Sequence, residues 1–215
     1  MPQFSEARFL EIPVVGILRG YTETEVLHIA EAFVEAGFST LEITLNTPNA
    51  VGIINAVVNR FAENLNVGAG TVLTVEEVNA VQEASGQFIV APVVDMSVIQ
   101  ASTEKGLPVF PGAYSPTEIY QAWQAGAHMV KVFPARDLGP SYIKDVLAPL
   151  DQLKLLPTGG VTMDNMEAYW QAGAQGFGMG GYLFKKDLIE AANWKALKDS
   201  LQQFKAHFER IRSAG

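Results

Sequence analysis

Lys131 interrupts the apolar run AHMVKVFPAR. In an extended strand, period two sets Met129, Lys131 and Phe133 on one face and Val130 and Val132 on the other. With the valines against a covering layer, the amine points into the interior, where an ammonium is costly. Desolvation lowers a lysine pKa, and a neutral amine attacks a ketone to form a Schiff base. A structural lysine, paired with a carboxylate or reaching water at the strand end, answers the same pattern. Glu42 poses a similar question in STLEITLNTP: Leu41, Ile43 and Leu45 share one face, and Glu42, Thr44 and Asn46 share the other. Its carboxylate suits a general acid/base near the amine; a salt bridge or a hydrogen-bonded structural carboxylate is the alternative. Spacing alone does not separate these roles, but an inward lysine together with an inward glutamate favours imine and enamine chemistry.

Two glycine-rich turns form a second constellation, Pro157-Thr158-Gly159-Gly160 and Gly178-Met179-Gly180-Gly181. Adjacent glycines let backbone amides approach a ligand, and a helix N-terminus behind them favours an anion, so a phosphate site is expected here; tight packing at two sharp turns is the alternative. Arg19, in GILRG, suits a carboxylate or phosphate clamp or a surface ion pair. Thr71, in GAGTV, suits a hydrogen bond to a substrate carboxylate or a role at the start of a helix. Pro92 and Pro111 fit pocket walls or plain loop geometry. Ser115 has the context of a helix cap rather than a nucleophile. His28, His128 and His207 are scattered without metal-ligand spacing, so they are expected to be structural or solvent-facing, with no required metal.

The elements that must position these residues repeat one phrase. Helical text ends in glycine (EAG at 35–37, ASG at 84–86, EKG at 104–106, QAG at 124–126 and 171–173), then a short apolar run follows. The glycine supplies a left-handed residue that closes a helix. Thr22 with Glu25, Thr74 with Glu77 and Ser115 with Glu118 fit the capping box, and Pro116 and Pro48 fit first-turn positions. Strand-like runs fall near 13–18, 38–45, 66–69, 87–91, 107–110, 128–133, 153–157 and 175–179, each followed by helical text. Eight such units predict a small (β/α)8 TIM barrel, with a doubly wound open sheet as the structural rival. Residues 3–11 predict a short extra helix over the bottom of the barrel, and the text from Leu188 to Ile211 a long helix interrupted near Asn193. In a barrel, catalytic groups gather at the C-terminal strand ends, and the last two loops commonly hold phosphate.

The whole chain, 1–215, is expected to be one domain. Its 48% hydrophobic content is that of a globular protein,. With no cysteine, thiol catalysis, disulfides and thiolate metal sites are excluded,. Fifteen Lys+Arg against 23 Asp+Glu give a net charge of -8, which argues against a nucleic-acid partner but allows a small basic pocket. Neither a signal peptide nor a bilayer-spanning run is apparent, so a cytoplasmic protein without a membrane partner is expected.

The ordered set LEITLNTP, GAGTVL, PG near the fifth strand, VKVFPA, LPTGGV and GMGG resembles the bacterial 2-keto-3-deoxy-6-phosphogluconate (KDPG) and 4-hydroxy-2-oxoglutarate (KHG) aldolase family, from about Pro13 through Phe184. The resemblance implies a (β/α)8 barrel, a homotrimer and a class I, metal-independent mechanism without a cofactor. Residue by residue, it implies Lys131 as the imine-forming lysine and Glu42 as the acid/base. It also implies that Thr71, Pro92, Phe133 and Thr158 line the substrate site, and that Gly159, Gly160, Gly180 and Gly181 form the phosphate loops. The implied reaction is reversible cleavage of KDPG to pyruvate and D-glyceraldehyde 3-phosphate. Two positions depart from many gluconate-type members: Asn46 stands where they have arginine, and Gly181 where they have serine. GILRG, LNTP and FPARDLGPSYIKDV instead resemble the 2-keto-3-deoxy-6-phosphogalactonate branch, where Arg19 takes over anion recognition, while PTGGV stays closer to the gluconate branch. Galactonate or KHG cleavage is therefore the alternative. A noncovalent phosphometabolite isomerase or binding protein is disfavoured, because a buried Lys/Glu pair is costly for binding alone.

Overall fold

Short apolar runs too brief for helices, each ended by a glycine, threonine or proline turn, fold into parallel strands. A computed structural model describes residues 2–214. Its strands are β1 (Val14–Leu18), β2 (Thr40–Thr44), β3 (Asn66–Gly70), β4 (Ile89–Val90), β5 (Val109–Phe110), β6 (Gly112–Ala113), β7 (Val130–Val132), β8 (Leu155–Pro157) and β9 (Phe177–Met179). All pairings are parallel, in a six-stranded sheet ordered β5-β4-β3-β2-β1-β9 and a three-stranded sheet ordered β6-β7-β8. Hydrogen bonds run between the two sheets: the His128 N–H donates to the Val109 carbonyl at 2.8 Å and the Lys131 N–H to that of Pro111 at 2.9 Å. At the other edge Thr158 and Gly178 form an isolated parallel bridge. β5 and β6 are separated only by Pro111, whose missing N–H interrupts the ladder,.

Strand alternation sorts the apolar side chains into two cores. Val14, Leu41, Ile43, Ile89, Val109, Val130, Val132 and Leu155 pack outward with the helices. Phe9, Val15, Phe88, Val90, Phe110, Met129 and Leu156 form a separate interior cluster. Phe9 comes from α1 (Glu6–Glu11), so this helix, shorter than the expected 3–11, plugs the interior at the strands' N-terminal end. The plug is latched by Glu6, whose carboxylate lies 2.7 Å from His128 Nε2.

All three expected capping boxes form, at α2 (Glu23–Glu35), α4 (Val75–Glu83) and α6 (Pro116–Gln124). Four of the five helix-closing glycines, Gly37, Gly106, Gly126 and Gly173, have positive φ; in ASG it is Ser85, at φ 64°, that takes the left-handed position instead of Gly86. Pro48 lies outside the helix it was expected to start, because Asn49 is the N-cap of α3 (Ala50–Phe61). The C-terminal helical text breaks as expected, into α9 (Lys186–Glu190) and α10 (Trp194–Ala214).

Candidate active site

Lys131 sits at the centre of β7, between two valines that face the helices, so its stem enters the interior as the alternation requires. The residue is 6% exposed, and its ammonium lies 4.7 Å from the centroid of the Phe133 ring, a contact that favours the charged form. Gly112 opposes it on β6 and Leu156 on β8. A Cβ on Gly112 would strike the backbone carbonyl of Pro92, so the main chain at Pro92 lies close against β6 beside Lys131.

Glu42 is the middle residue of β2, 2% exposed, paired in register with Ile17 on β1 and Gly68 on β3. β3 makes room for it. A Cβ on Gly68 would strike Phe88, and one on Gly70 would strike the Glu42 carboxylate. The Oε2 of Glu42 is buried without a protein hydrogen-bond partner. Burial pushes its pKa up to about 7, against the opposing fields of Lys131 and Arg19,. The Lys131 amine moves the other way: burial lowers its pKa, Glu42 resists the shift and Arg19 adds to it. Both side chains line one pocket with Val15, Ile17, Val90, Phe110, Leu156, Thr158 and Gly178. Among the described residues no direct ion pair joins them, so amine and carboxylate face a shared space rather than neutralising one another in contact.

Thr158, buried just beyond β8, donates to the Leu156 carbonyl at 3.3 Å; the absent side chain of Gly178 leaves the room it occupies. Gly159 and Gly160 follow with φ of 84° and 94°, and a side chain on Gly159 would lie against the Phe133 ring. Gly180 and Gly181 open the turn after β9. Among the described residues, the N–H groups of these four glycines have no backbone acceptor, which leaves them free for an anion. The helices behind them are shorter and later than the sequence suggested: α8 (Met166–Gln171) has six residues and α9 five.

Arg19 is exposed immediately after β1, and its charge bears on both buried groups. Thr71, immediately after Gly70, has φ 60°. A β-branched residue in that region stores about 1–3 kcal/mol of strain, which is characteristic of functional positions. The structure thus brings Lys131, Glu42, Thr158 and Phe133 together, with Arg19 and Thr71 at adjoining strand ends. Sequence reasoning missed Val15, Ile17, Val90, Phe110 and Leu156 as pocket lining; their inward parity was the available signal. Elsewhere, His28 stacks on Trp194 and His207 Nε2 meets the Met163 carbonyl at 3.0 Å, while no group of three or more metal-ligating side chains occurs among the described residues.

A parallel α/β fold with a desolvated amine and carboxylate facing one interior pocket defines an enzyme site of the lysine-dependent type. The family model for KDPG and KHG aldolase matches residues 6–200. The 2-dehydro-3-deoxy-6-phosphogalactonate aldolase of Escherichia coli (strain K12) is 38% identical over 176 residues, 81% of this chain and 86% of that one. A native KDPGal structure superposes with a TM-score of 0.88 at 32% identity, over 98% of this chain and 99% of the other. The KDPG aldolase of Legionella pneumophila, solved with pyruvate captured at low pH as a covalent carbinolamine intermediate, superposes with a TM-score of 0.84 at 28% identity, over 92% and 96% of the two chains. This chain belongs to the KDPG and KHG aldolase family.

Proposed function

We propose that the protein is a class I aldolase that reversibly cleaves 2-keto-3-deoxy-6-phosphogluconate to pyruvate and D-glyceraldehyde 3-phosphate, using neither metal nor cofactor. The observation that carries this reading is the convergence of Lys131 and Glu42, from β7 and β2, on one pocket with opposite pKa shifts. Lys131 attacks the C2 ketone as a free amine, and loss of water gives a cationic imine. Glu42 takes the C4 hydroxyl proton as the C3–C4 bond breaks, its electrons passing to the imine to give an enamine and the aldehyde. Glu42 returns a proton to C3, and water then releases pyruvate and regenerates the amine. Phe133 packs beside the imine, Thr71 and Thr158 bind the acid end, and the amides of Gly159, Gly160, Gly180 and Gly181 hold the phosphate. Pro92 contributes its main chain to the wall.

The same reading takes the chain as a single domain in which β5 and β6 are halves of one strand, so that eight strands close into a (β/α)8 barrel. The bonds from His128 and Lys131 to the neighbouring strand and the Thr158–Gly178 bridge support closure. A cytoplasmic homotrimer follows from the family resemblance. A second reading, cleavage of the galactonate epimer, is favoured by Asn46, which replaces a potential carboxylate clamp and leaves anion recognition to Arg19.

Pyruvate release from both phosphorylated C4 epimers, their dephosphorylated forms and 4-hydroxy-2-oxoglutarate tests the proposal. Removing the phosphate lowers kcat/KM on the order of a hundredfold, the worth of a few charge-assisted hydrogen bonds. Equal efficiency with and without phosphate would defeat the phosphate site, and the preferred epimer decides the branch.

A further inference from the structure

The loops after β1 and β2 are joined by a buried hydroxyl that the mechanism does not use. Thr47 is 4% exposed. Its Oγ1 accepts the Gly20 N–H at 2.9 Å and lies 3.2 Å from the Oγ1 of Thr44, a fully buried residue on the Glu42 face of β2. Thr47 is itself fixed to the end of β2, since its N–H donates to the Thr44 carbonyl at 2.9 Å. Gly20 has φ 77°, and nothing lies within 4 Å of the place a Cβ would take. No side chain packs against Gly20 at that position, and its amide is held by the bond to Thr47. Arg19 precedes it, exposed, and among the described residues its side chain has neither an ion pair nor a hydrogen bond. The backbone at 19–20 is thus what sets the origin and direction of the arginine stem.

We propose that Thr47 is a positioning residue: its hydroxyl pins the Gly20 amide to the end of β2 and so aims the Arg19 guanidinium at an anionic group of the substrate. The inference rests on the aldolase reading above. It extends that reading from the arginine to the residue that orders it, because a long flexible cation binds well only when its entropy has been restricted beforehand.

A double-mutant cycle tests it. Thr47→Val keeps the shape and removes the hydroxyl, and raises KM about five- to tenfold with kcat within about twofold, the worth of one ordering hydrogen bond. Thr47→Ser restores the wild-type KM. In an Arg19→Gln background, which itself raises KM, Thr47→Val adds nothing. The half-saturating pyruvate in borohydride trapping distinguishes the anion: it rises if Arg19 holds the carboxylate and is unchanged if Arg19 holds the phosphate. An equal effect of Thr47→Val with and without Arg19, an unchanged KM in Thr47→Val, or a wild-type KM in Arg19→Gln would each overturn the proposal. Thr47→Ala breaks the same link and carries the cycle if Thr47→Val fails to fold. Trapping of pyruvate on Lys131 in the wild type separates the two claims: its absence sinks the aldolase reading, whereas trapping with an additive cycle sinks only the role of Thr47.

Discussion

In the proposed mechanism Glu42 accepts a proton and gives it back within one turnover, and its burial suits both steps,. With a pKa raised from 4.5 to about 7, neither protonation state is strongly favoured near neutrality. kcat/KM therefore rises with pH through about 7 as the carboxylate forms, and Glu42→Gln removes that limb with a kcat loss on the order of 10²–10⁴. A wild-type profile flat across this range would contradict the assignment. The same shift governs stability. Between pH 4.5 and about 7 the folded chain holds a proton that the unfolded chain has lost, so native stability falls as pH rises through that window. Glu42→Gln cannot ionise, and its stability relative to wild type gains roughly 2–3 kcal/mol between about pH 5 and pH 8, measurable by denaturant unfolding. The inward aim of Glu42 and Lys131 was legible in the sequence, because in each strand period two gathers the aliphatic neighbours on the opposite face,. The identity of the residue that turns a chain was less legible. Ser85 takes the left-handed position beside Gly86, where a Cβ would strike Val81, and Asn49 displaces Pro48 from the helix start; a short motif encodes neither outcome.

At the scale of elements, β3 shows how a strand serves a site without supplying a side chain. Gly68 and Gly70 leave the interior open where Phe88 and Glu42 need it. Gly70→Ala puts a methyl against the movable end of Glu42. The fold absorbs this at about 1–3 kcal/mol, while kcat falls by on the order of a hundredfold as the carboxylate is displaced. Gly68→Ala meets the Phe88 ring and its main-chain carbonyl, and costs stability first. Thermal melts and kcat on both variants check the contrast; a Gly70→Ala enzyme with wild-type kcat would refute it. The sequence motif GAGT pointed to Thr71, but the function of its glycines depends on which strand lies opposite, and register between strands is a tertiary property. Capping boxes, by contrast, are closed within four residues, which is why Thr22, Thr74 and Ser115 could be placed from sequence. Where α8 and α9 begin was not legible, since a glycine pair marks a turn without fixing the length of loop beyond it.

Across the whole molecule, the eight strand-like runs fall where the strands do, with one run continuing past Pro111 as β6. Their number and spacing predict a barrel, but closure depends on hydrogen bonds between the strand after α6 and the one before it, and between the last strands, which no periodicity reveals. α1 likewise reads only as a short extra helix over the bottom; the fold shows Phe9 inserted among Val15, Phe88 and Phe110. If the assembly is the homotrimer implied by the family, native mass spectrometry finds a species at three times the 23.3 kDa chain mass; only the single-chain mass at micromolar concentration would refute it. What the whole fold accomplishes is to carry Lys131 and Glu42, far apart in the chain, to one desolvated space. Trapping tests this most directly: the folded protein is incubated with pyruvate, reduced with borohydride, digested and its peptides weighed. The expected product is one reduced pyruvyl adduct on Lys131, lost on prior unfolding and absent from a folded Lys131→Ala variant that no longer turns over. No adduct on Lys131 in catalytically active protein, or aldol cleavage by folded Lys131→Ala at the wild-type rate, would contradict it.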